Sequence, residues 1–198
     1  SEMFEKNMSF NDVLNKAKKL GYAESNPKSD LNGDDVRSKI QILSSLAFNC
    51  FINKKNVNQE GINFIDEIDI KNANLLGYKI KHIGFSEISD GNLIQRINPC
   101  LIKKESRLSN VNGVLNAVII EGEPIGKSVL QGEGAGPGPT SSSLLSDLLS
   151  ILRGNIKYPF GISSNKRRFI KPFSNDKYTN SLYLRFEVKD NQGVLSSI

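Results

Sequence analysis

The chain has 198 residues, which is enough for one large domain and part of another. Hydrophobic residues make up 38% and charged residues 24%, and the mean hydropathy is −0.33, so the composition excludes a membrane protein and argues against disorder throughout. The 26 basic and 21 acidic residues leave a net charge of +5, a mild excess that does not require a nucleic-acid partner.

The first half of the chain predicts short helices separated by loops. Ser9 and Asp12 form a capping-box pattern that opens a helix, and Gly21 ends it. Residues 22–33 are rich in loop-forming types, whereas residues 34–51 have helical periodicity. The predicted inward face of that helix comprises Val36, Ile40, Leu43, Leu46 and Ala47. A further short helix is predicted from Asp69 to Leu76, before Gly77.

The middle of the chain predicts two β-hairpins. Asp90–Gly91 is a favoured turn dipeptide between two alternating apolar runs, and Pro99 suggests a strand edge. A second pair of apolar runs flanks the turn at 121–124. A glycine–proline connection then leads to a helix over residues 141–152, for which Thr140 is the predicted cap. The predicted fold is α/β, with helices packed on a mixed, mostly antiparallel sheet.

Residues 154–180 lose periodicity and predict a linker. Its part 157–171 carries five basic residues interleaved with aromatic ones and no acidic residue. Such a run could contact nucleic-acid phosphates, but a solvated interdomain linker is the favoured interpretation. Residues 181–198 open with strand-like alternation and predict the start of another domain.

The rare chemical residues favour structural roles. Cys50 and Cys100 lie among apolar residues, and His82 lies in an alternating strand. These three residues cannot form a disulfide framework or a zinc site, so a cytoplasmic setting is expected. The sequence has no secretory signal and no run of ~18 apolar residues that would predict a membrane span.

One acidic cluster stands apart from this pattern. Glu24, Asp30, Asp34 and Asp35 fall close together, and Lys39 lies one helical turn after Asp35 on the same face. Spacing alone favours a structural role, because acidic residues suit a helix N-terminus and an (i, i+4) lysine pairs with them at the surface.

Two longer strings carry a family resemblance. The segment LGYAESNPKSDLNGDDVRSKIQIL over residues 20–43 resembles the substrate-binding signature of homoserine dehydrogenases, with Asn26 where aspartate is common. Residues 113–149, which include GVLNAVIIEG and GEGAGPGPT, resemble a second segment of the same family at the expected distance downstream. Two matches in the right order identify the chain as similar to that family over most of its length.

The resemblance implies roles for the acidic cluster. Glu24 would bind the α-ammonium group of L-homoserine, Asp30 and Asp35 would be further acidic contacts, and Lys39 would be the catalytic lysine. The family interconverts L-homoserine and L-aspartate 4-semialdehyde by hydride transfer with NAD(P), in threonine, methionine and isoleucine biosynthesis. A lysine near the reacting oxygen supplies the acid–base step.

The resemblance also implies contacts with the cofactor. Gly134, Ala135 and Gly136 would lie against the nicotinamide side of NAD(P). The free N–H groups of the helix opened by Thr140 would suit an anionic or polar partner. The glycine-rich fingerprint of a dinucleotide-binding fold is missing before Ser9, so that fold and any monovalent-cation site are expected upstream, with no metal ligand assigned here.

The implied organisation has three parts. Residues 1–153 would form the catalytic and dimerisation domain, 154–180 the linker, and 181–198 the start of an ACT-like regulatory domain. The resemblance implies a homodimer or homotetramer without nucleic-acid or membrane partners, and a fragment that is inactive alone. The alternatives are an amino-acid-binding regulatory module without catalysis and a nucleic-acid-binding protein that uses residues 157–171.

Overall fold

The computed structural model describes residues 2–6, 8–22, 26–51, 57–155, 157–173 and 179–189. Its helices are α1 (Glu2–Lys6), α2 (Phe10–Lys19), α3 (Lys28–Asn32), α4 (Asp34–Phe48), α5 (Glu67–Leu75) and α6 (Pro137–Leu152). Its strands are β1 (Asn58–Gln59), β2 (Tyr78–Ser89), β3 (Asn92–Lys103), β4 (Leu115–Gly122) and β5 (Gly126–Glu133). Short 3₁₀ turns lie at Arg107–Asn110 and Ser164–Lys166. Glu24 and residues 190–198 lie outside the described residues.

The predicted mixed sheet is confirmed. Strands β2 and β3 form a long antiparallel hairpin, and β1 pairs in parallel with β3, giving the order β1-β3-β2. Asp90 and Gly91 both have positive φ angles, of 50° and 73°, which suit a two-residue turn between twisted strands. Pro99 lies in β3 beyond the two residues that pair with β1, so its missing N–H falls at an edge.

The predicted cap of α2 is confirmed, and a second capping box that was not predicted opens α5. Ser9 caps α2, where its hydroxyl accepts a bond from the Asp12 amide. Helix α5 begins two residues before the prediction, because Asp66 and Asp69 form a reciprocal capping box. Each cap provides partners for amides that the first helical turn leaves without a bond inside the helix.

Helix α4 packs on the hairpin through part of the predicted face, since Val36 and Ile40 lie against Gly84 of β2. Leu46 is 45% exposed, whereas Gln41, Ser44 and Ser45 are buried. Ser44 accepts a hydrogen bond of 2.8 Å from the Gln95 side-chain amide of β3 and lies 2.8 Å from the Ser86 hydroxyl of β2. The predicted face is therefore confirmed at Val36 and Ile40 and wrong at Leu46 and Ala47, which are exposed, because the hydrogen bonds of Ser44 make the contact with the hairpin there.

Part of the predicted linker packs against the domain. Arg168 exchanges backbone hydrogen bonds with the Asn49–Phe51 segment after α4, and Leu93 does so with Lys171 and Phe173. The Arg167 guanidinium donates to Cys50 O at 2.8 Å and lies over the rings of two aromatic residues. The prediction of a solvated linker is wrong over residues 167–173, since their partners lie far away in sequence and local patterns do not reveal them.

The last described residues lie against α5. Arg185 pairs with Asp66 at 2.6 Å and with Asp69 at 3.1 Å, and the Tyr183 hydroxyl donates to Asp69 at 3.2 Å. The alternating apolar residues of this segment point away from these contacts and are exposed: Leu182, Leu184, Phe186 and Val188. The predicted strand does not form over residues 181–189, and the alternation instead separates polar residues that contact α5 from exposed apolar ones.

The second hairpin and α6 extend from the rest of the domain. Strands β4 and β5 form a separate two-stranded sheet, and α6 follows. Helix α6 begins at Pro137 rather than after Thr140, because proline at the first helical position needs no hydrogen-bond partner for its nitrogen. Its exposed apolar residues include Leu144, Leu145, Leu148, Leu149, Ile151 and Leu152. Among the described residues, no helix combines the length and apolar character needed to cross a membrane.

Replacing Gly84 by alanine is expected to destabilise the domain. A Cβ atom there would lie 2.9 Å from Val36 Cγ1 and 3.3 Å from Ile40 Cβ, so α4 would have to move away from β2. We expect the free energy of unfolding to fall by about 1–3 kcal/mol in denaturant titrations. The matched control is Gly122→Ala, because a Cβ there meets no atom within 4 Å. Equal effects of the two substitutions would contradict this packing argument.

The docked tail predicts a pH-dependent stability. Hydrogen bonds from Arg185, and then from backbone amides, hold the pKa of Asp66 well below its usual range. A carboxylate with a depressed pKa stabilises the folded state above its unfolded pKa, near 3.9, and this contribution is lost as pH falls through the folded value. Thermal melts from about pH 5 down to pH 2 should therefore fall less steeply for Asp66→Asn, which retains a capping side chain. Asp90→Asn, which makes the same change in the exposed hairpin turn, is the matched control. A slope for Asp66→Asn that matches the unmodified chain would contradict this assignment.

Candidate functional site

The acidic cluster lies at the junction of α3 and α4. The sequence predicts a continuous loop over residues 22–33, but the structure contains the five-residue helix α3 within it. Gly33 ends α3 and precedes α4 with a φ of +87°, a left-handed conformation that favours glycine. The short turn brings Asp30 of α3 close to Asp34 and Asp35 at the start of α4.

An open cleft of about 400 Å³ forms at this junction. Its lining contains three carboxylates and several neutral polar groups: Tyr22, Asn26, Ser29, Asp30, Asp34, Asp35 and Ser38. Lys39 Nζ lies 2.8 Å from Asp35 Oδ2. The structure thus brings together three of the predicted site residues, Asp30, Asp35 and Lys39, while Glu24 lies outside the described residues.

The pair of Asp35 and Lys39 is open to solvent. The side chains of Lys39 and Asp35 are 54% and 45% exposed. An exposed (i, i+4) pair contributes only about 0.3–0.5 kcal/mol to stability, so the fold depends little on it. What distinguishes this pair from an ordinary surface pair is the convergence of further carboxylates on the same cleft. The arrangement can bind a cationic group and places an ammonium group beside it.

Asp34 has a different environment from Asp35. Its Oδ1 atom accepts a 2.9 Å hydrogen bond from Gln59 Nε2 and lies 2.9 Å from the guanidinium of Arg37. Gln59 also donates to Asn32 O at 2.7 Å. Sequence reasoning missed Gln59, because a two-residue strand has no alternation that would show its side chain facing the acidic turn.

The His82 side chain of β2 packs against the turn between α3 and α4. A Cβ atom on Gly33 would lie 2.8 Å from His82 Cε1, so the imidazole packs directly against the glycine. His82 Nε2 is 3.0 Å from Glu60 O, and burial lowers the pKa of the ring. The predicted role of His82 as a partly exposed sheet residue is right about its strand, but the ring also fills the space behind the acidic cleft.

The glycine loop between β5 and α6 lies apart from this cleft, whose lining contains none of residues 134–136. Gly134 donates from its amide to Val114 O at 3.0 Å, and a Cβ atom there would overlap the side-chain amide of Asn116. Gly134 is therefore required by its contact with the neighbouring strand. Asn116 was not among the predicted site residues.

The glycine loop leads directly into α6. Gly136 has a φ of +106°, and a Cβ atom on Gly138 would meet nothing within 4 Å, so the backbone is open to close approach. Pro137 and Pro139 have no N–H group, and the Thr140 amide bonds to Gly136 O at 3.3 Å. The expectation that the helix opened by Thr140 offers free amides to an anionic or polar partner is therefore wrong, because α6 begins at Pro137 and the Thr140 amide is already bonded.

No cluster of three or more metal-ligating side chains occurs in the part of the chain that the structure describes. Cys50 is buried and Cys100 is partly buried, and burial raises the pKa of each thiol. Both behave as small apolar residues, since a thiol with a raised pKa is a poor nucleophile at neutral pH.

Comparison with known proteins gives a consistent result. A family model described as homoserine dehydrogenase matches residues 1–149. Homoserine dehydrogenase of Pseudomonas aeruginosa is 36% identical over 206 residues, covering 100% of this chain and 47% of that protein. The chain therefore spans about half the length of the curated relatives it matches.

Solved structures agree with the sequence match. A homoserine dehydrogenase from Thiobacillus denitrificans has a TM-score of 0.75 and 32% identity, covering 86% of this chain and 42% of that one. Homoserine dehydrogenase of S. aureus at pH 6.5 has a TM-score of 0.72 and 36% identity, covering 79% and 40% respectively. The described fold is thus similar to one part of these longer chains.

The exposed pair predicts substitutions that leave the fold intact. Lys39→Ala and Asp35→Asn should each change the free energy of unfolding by no more than about 0.5 kcal/mol, because both side chains are largely in solvent. Ser45→Val is the contrasting variant, since Ser45 is fully buried and accepts a 3.2 Å bond from Arg167. Removal of the Ser45 hydroxyl should lower the free energy of unfolding by about 1–3 kcal/mol, because the Arg167 guanidinium loses this acceptor. Urea titrations in which Lys39→Ala destabilised as much as Ser45→Val would show that the pair is structural.

Proposed function

Because the chain belongs to the homoserine dehydrogenase family, we propose that it is the substrate-binding half of an enzyme that interconverts L-homoserine and L-aspartate 4-semialdehyde with NAD(P). The observation that carries this proposal is the acidic cleft at the α3–α4 junction, with Lys39 paired to one of its carboxylates. The activity would serve amino-acid biosynthesis, in the pathways to threonine, methionine and isoleucine.

The cleft suits the α-ammonium group of the proposed substrate. L-Homoserine carries an α-ammonium group, which the carboxylates of Asp30 and Asp35 attract. We assign Glu24 to the same ammonium group on the family resemblance. These contacts would orient the substrate so that its hydroxyl oxygen on C4 faces Lys39, and holding that geometry lowers the barrier of the chemical step.

Lys39 has the proton-transfer role in this proposal. During reduction of the aldehyde, its ammonium group donates a proton to the oxygen on C4, and during oxidation of the alcohol its amine accepts that proton. Asp35 Oδ2, 2.8 Å from Lys39 Nζ, holds the lysine in place for either direction. Because the pair is half-exposed here, we propose that the rest of the protein closes the site and excludes water.

The cofactor would meet the chain at the glycine loop. Gly134, Ala135 and Gly136 would lie against the nicotinamide side, and the backbone is open to close approach at Gly136, whereas Asn116 packs against Gly134. The chemistry that NAD(P) supplies when bound is reversible hydride transfer. We propose that the nucleotide-binding fold and any monovalent-cation site belong to the part of the family architecture that this chain does not span.

The remaining organisation is proposed on the same basis. Residues 1–153 would be the catalytic and dimerisation domain of a homodimer or homotetramer, and the exposed apolar side chains of α6 supply surface that needs covering. Residues 181–198 would begin an ACT-like regulatory domain, and the side chains of residues 183 and 185 bond to acidic residues of the α5 region. A cytoplasmic location stays a prediction from the sequence.

The test is absorbance at 340 nm with L-homoserine and either NAD⁺ or NADP⁺, measured on the full-length protein and on the 198-residue chain alone. Turnover is expected from the full-length protein only. Lys39→Ala in that protein should lower kcat by about 10²–10⁴-fold, the usual contribution of a general acid–base group.

Lys71→Ala is the matched control, because this exposed lysine lies on α5, away from the cleft. It should retain full activity. Absence of turnover in a full-length protein that still binds cofactor would overturn the substrate assignment. Near-complete activity of Lys39→Ala would instead overturn the proton-transfer role and leave the family membership intact.

A further inference from the structure

We propose that Gln59 is a positioning residue that sets the separation of the substrate-binding carboxylates on α3 and α4. This inference rests on the proposed function, because it assigns Asp30 and Asp35 to substrate. Gln59 belongs to β1, which is outside the acidic segment, and its side chain reaches the turn that joins the two helices.

The hydrogen bonds of Gln59 require an amide. Its Nε2 group has two protons, and two acceptors lie at bonding distance, Asn32 O at 2.7 Å and Asp34 Oδ1 at 2.9 Å. If the amide were reversed, its oxygen would face two other oxygens, so these acceptors determine its orientation. Asn32 is the last residue of α3 and Asp34 the first of α4, so a single side chain bridges the two helix ends.

No side chain at the N-cap position of α4 holds the two helix ends together. Gly33 precedes α4 as its N-cap residue and has no side chain to bond the first amides of the helix. Gln59, which lies on β1, therefore restrains the start of α4 in place of a local capping side chain. The bond to Asp34, which also pairs with Arg37 at 2.9 Å, holds the first turn of α4 in one orientation.

The support continues along the chain after Gln59. The Ile62 amide donates to Leu31 O at 2.9 Å, and a Cβ atom on Gly61 would lie 2.5 Å from the same oxygen. Gln59 itself pairs in register with Ile97, the most deeply buried residue of β3. The acidic turn is thus held against the core through β1, and the positions of Asp30 and Asp35 depend on that contact.

Gln59→Glu tests this role with almost no change in side-chain size. It replaces the donor group by an oxygen, so a carboxylate faces Asn32 O and Asp34 Oδ1 and pushes the turn away. Gln59→Met removes both hydrogen bonds without adding charge. In the full-length protein, each variant should raise the KM for L-homoserine about tenfold or more, while kcat stays within about threefold, because ground-state and transition-state binding weaken together.

Asn58→Asp is the matched control. It makes the same amide-to-carboxylate change on the neighbouring residue of β1, whose side chain is exposed. Its KM should stay within about twofold of the unmodified protein. A merely structural role for Gln59 would lower the amount of active enzyme, and hence the apparent kcat, while leaving KM unchanged.

The outcomes separate this proposal from the proposed function. Turnover of the unmodified protein, with an unchanged KM in both Gln59 variants, would overturn the role of Gln59 alone. Absence of turnover in the unmodified protein would overturn the proposed function. In that case hydrogen–deuterium exchange still decides whether Gln59 holds the turn. Faster exchange of amides 31–37 in Gln59→Glu but not in Asn58→Asp is expected, and equal exchange in the two variants would overturn it.

Discussion

The close approach of α4 to the β2–β3 hairpin is the constraint on which the candidate site depends. Two glycines permit it, one on each side of the contact. Gly84 of β2 leaves room for Val36 and Ile40 of α4, and Gly33, just before α4, leaves room for the His82 ring of β2. Because both contacts lie near the start of α4, they determine where the acidic end of that helix sits relative to the sheet.

Local signals predict most of the fold, and long-range contacts account for the errors. The β2–β3 hairpin is predicted by its two-residue turn, because Asp90 and Gly91 are residue types that adopt the positive φ angles this turn requires. The docking of residues 167–173 depends on partners more than 70 positions away, such as Leu93, and no local pattern encodes those. The same holds for helix α4. A serine such as Ser44 is expected at the surface from sequence alone, and its burial is explained only by its hydrogen bond with Gln95 of β3.

In the candidate site too, local spacing predicts some residues, while others depend on contacts between separate elements. The spacing of Asp35 and Lys39 predicts their ion pair, but an identical spacing occurs in ordinary surface helices, so the resemblance to homoserine dehydrogenases was needed to suggest chemistry. Gln59 and Asn116 could not be found by pattern, because each acts through a contact between separate elements. The sequence does single out the glycine loop, but Gly134 is explained by its packing against Asn116 rather than by a ligand.

Carboxylates of one cluster can have opposite roles, and their partners distinguish them. Asp34 is bonded by Gln59 from a separate strand and by Arg37, so its charge is used to hold the turn. Asp35 pairs with Lys39 one helical turn away, and both side chains remain half in solvent. A carboxylate that the fold uses is costly to redirect, since its partners would be left without a bond. An exposed pair of small energetic value can rearrange around a ligand at little cost, and this is consistent with the proposal that Asp35 and Lys39, rather than Asp34, meet the substrate.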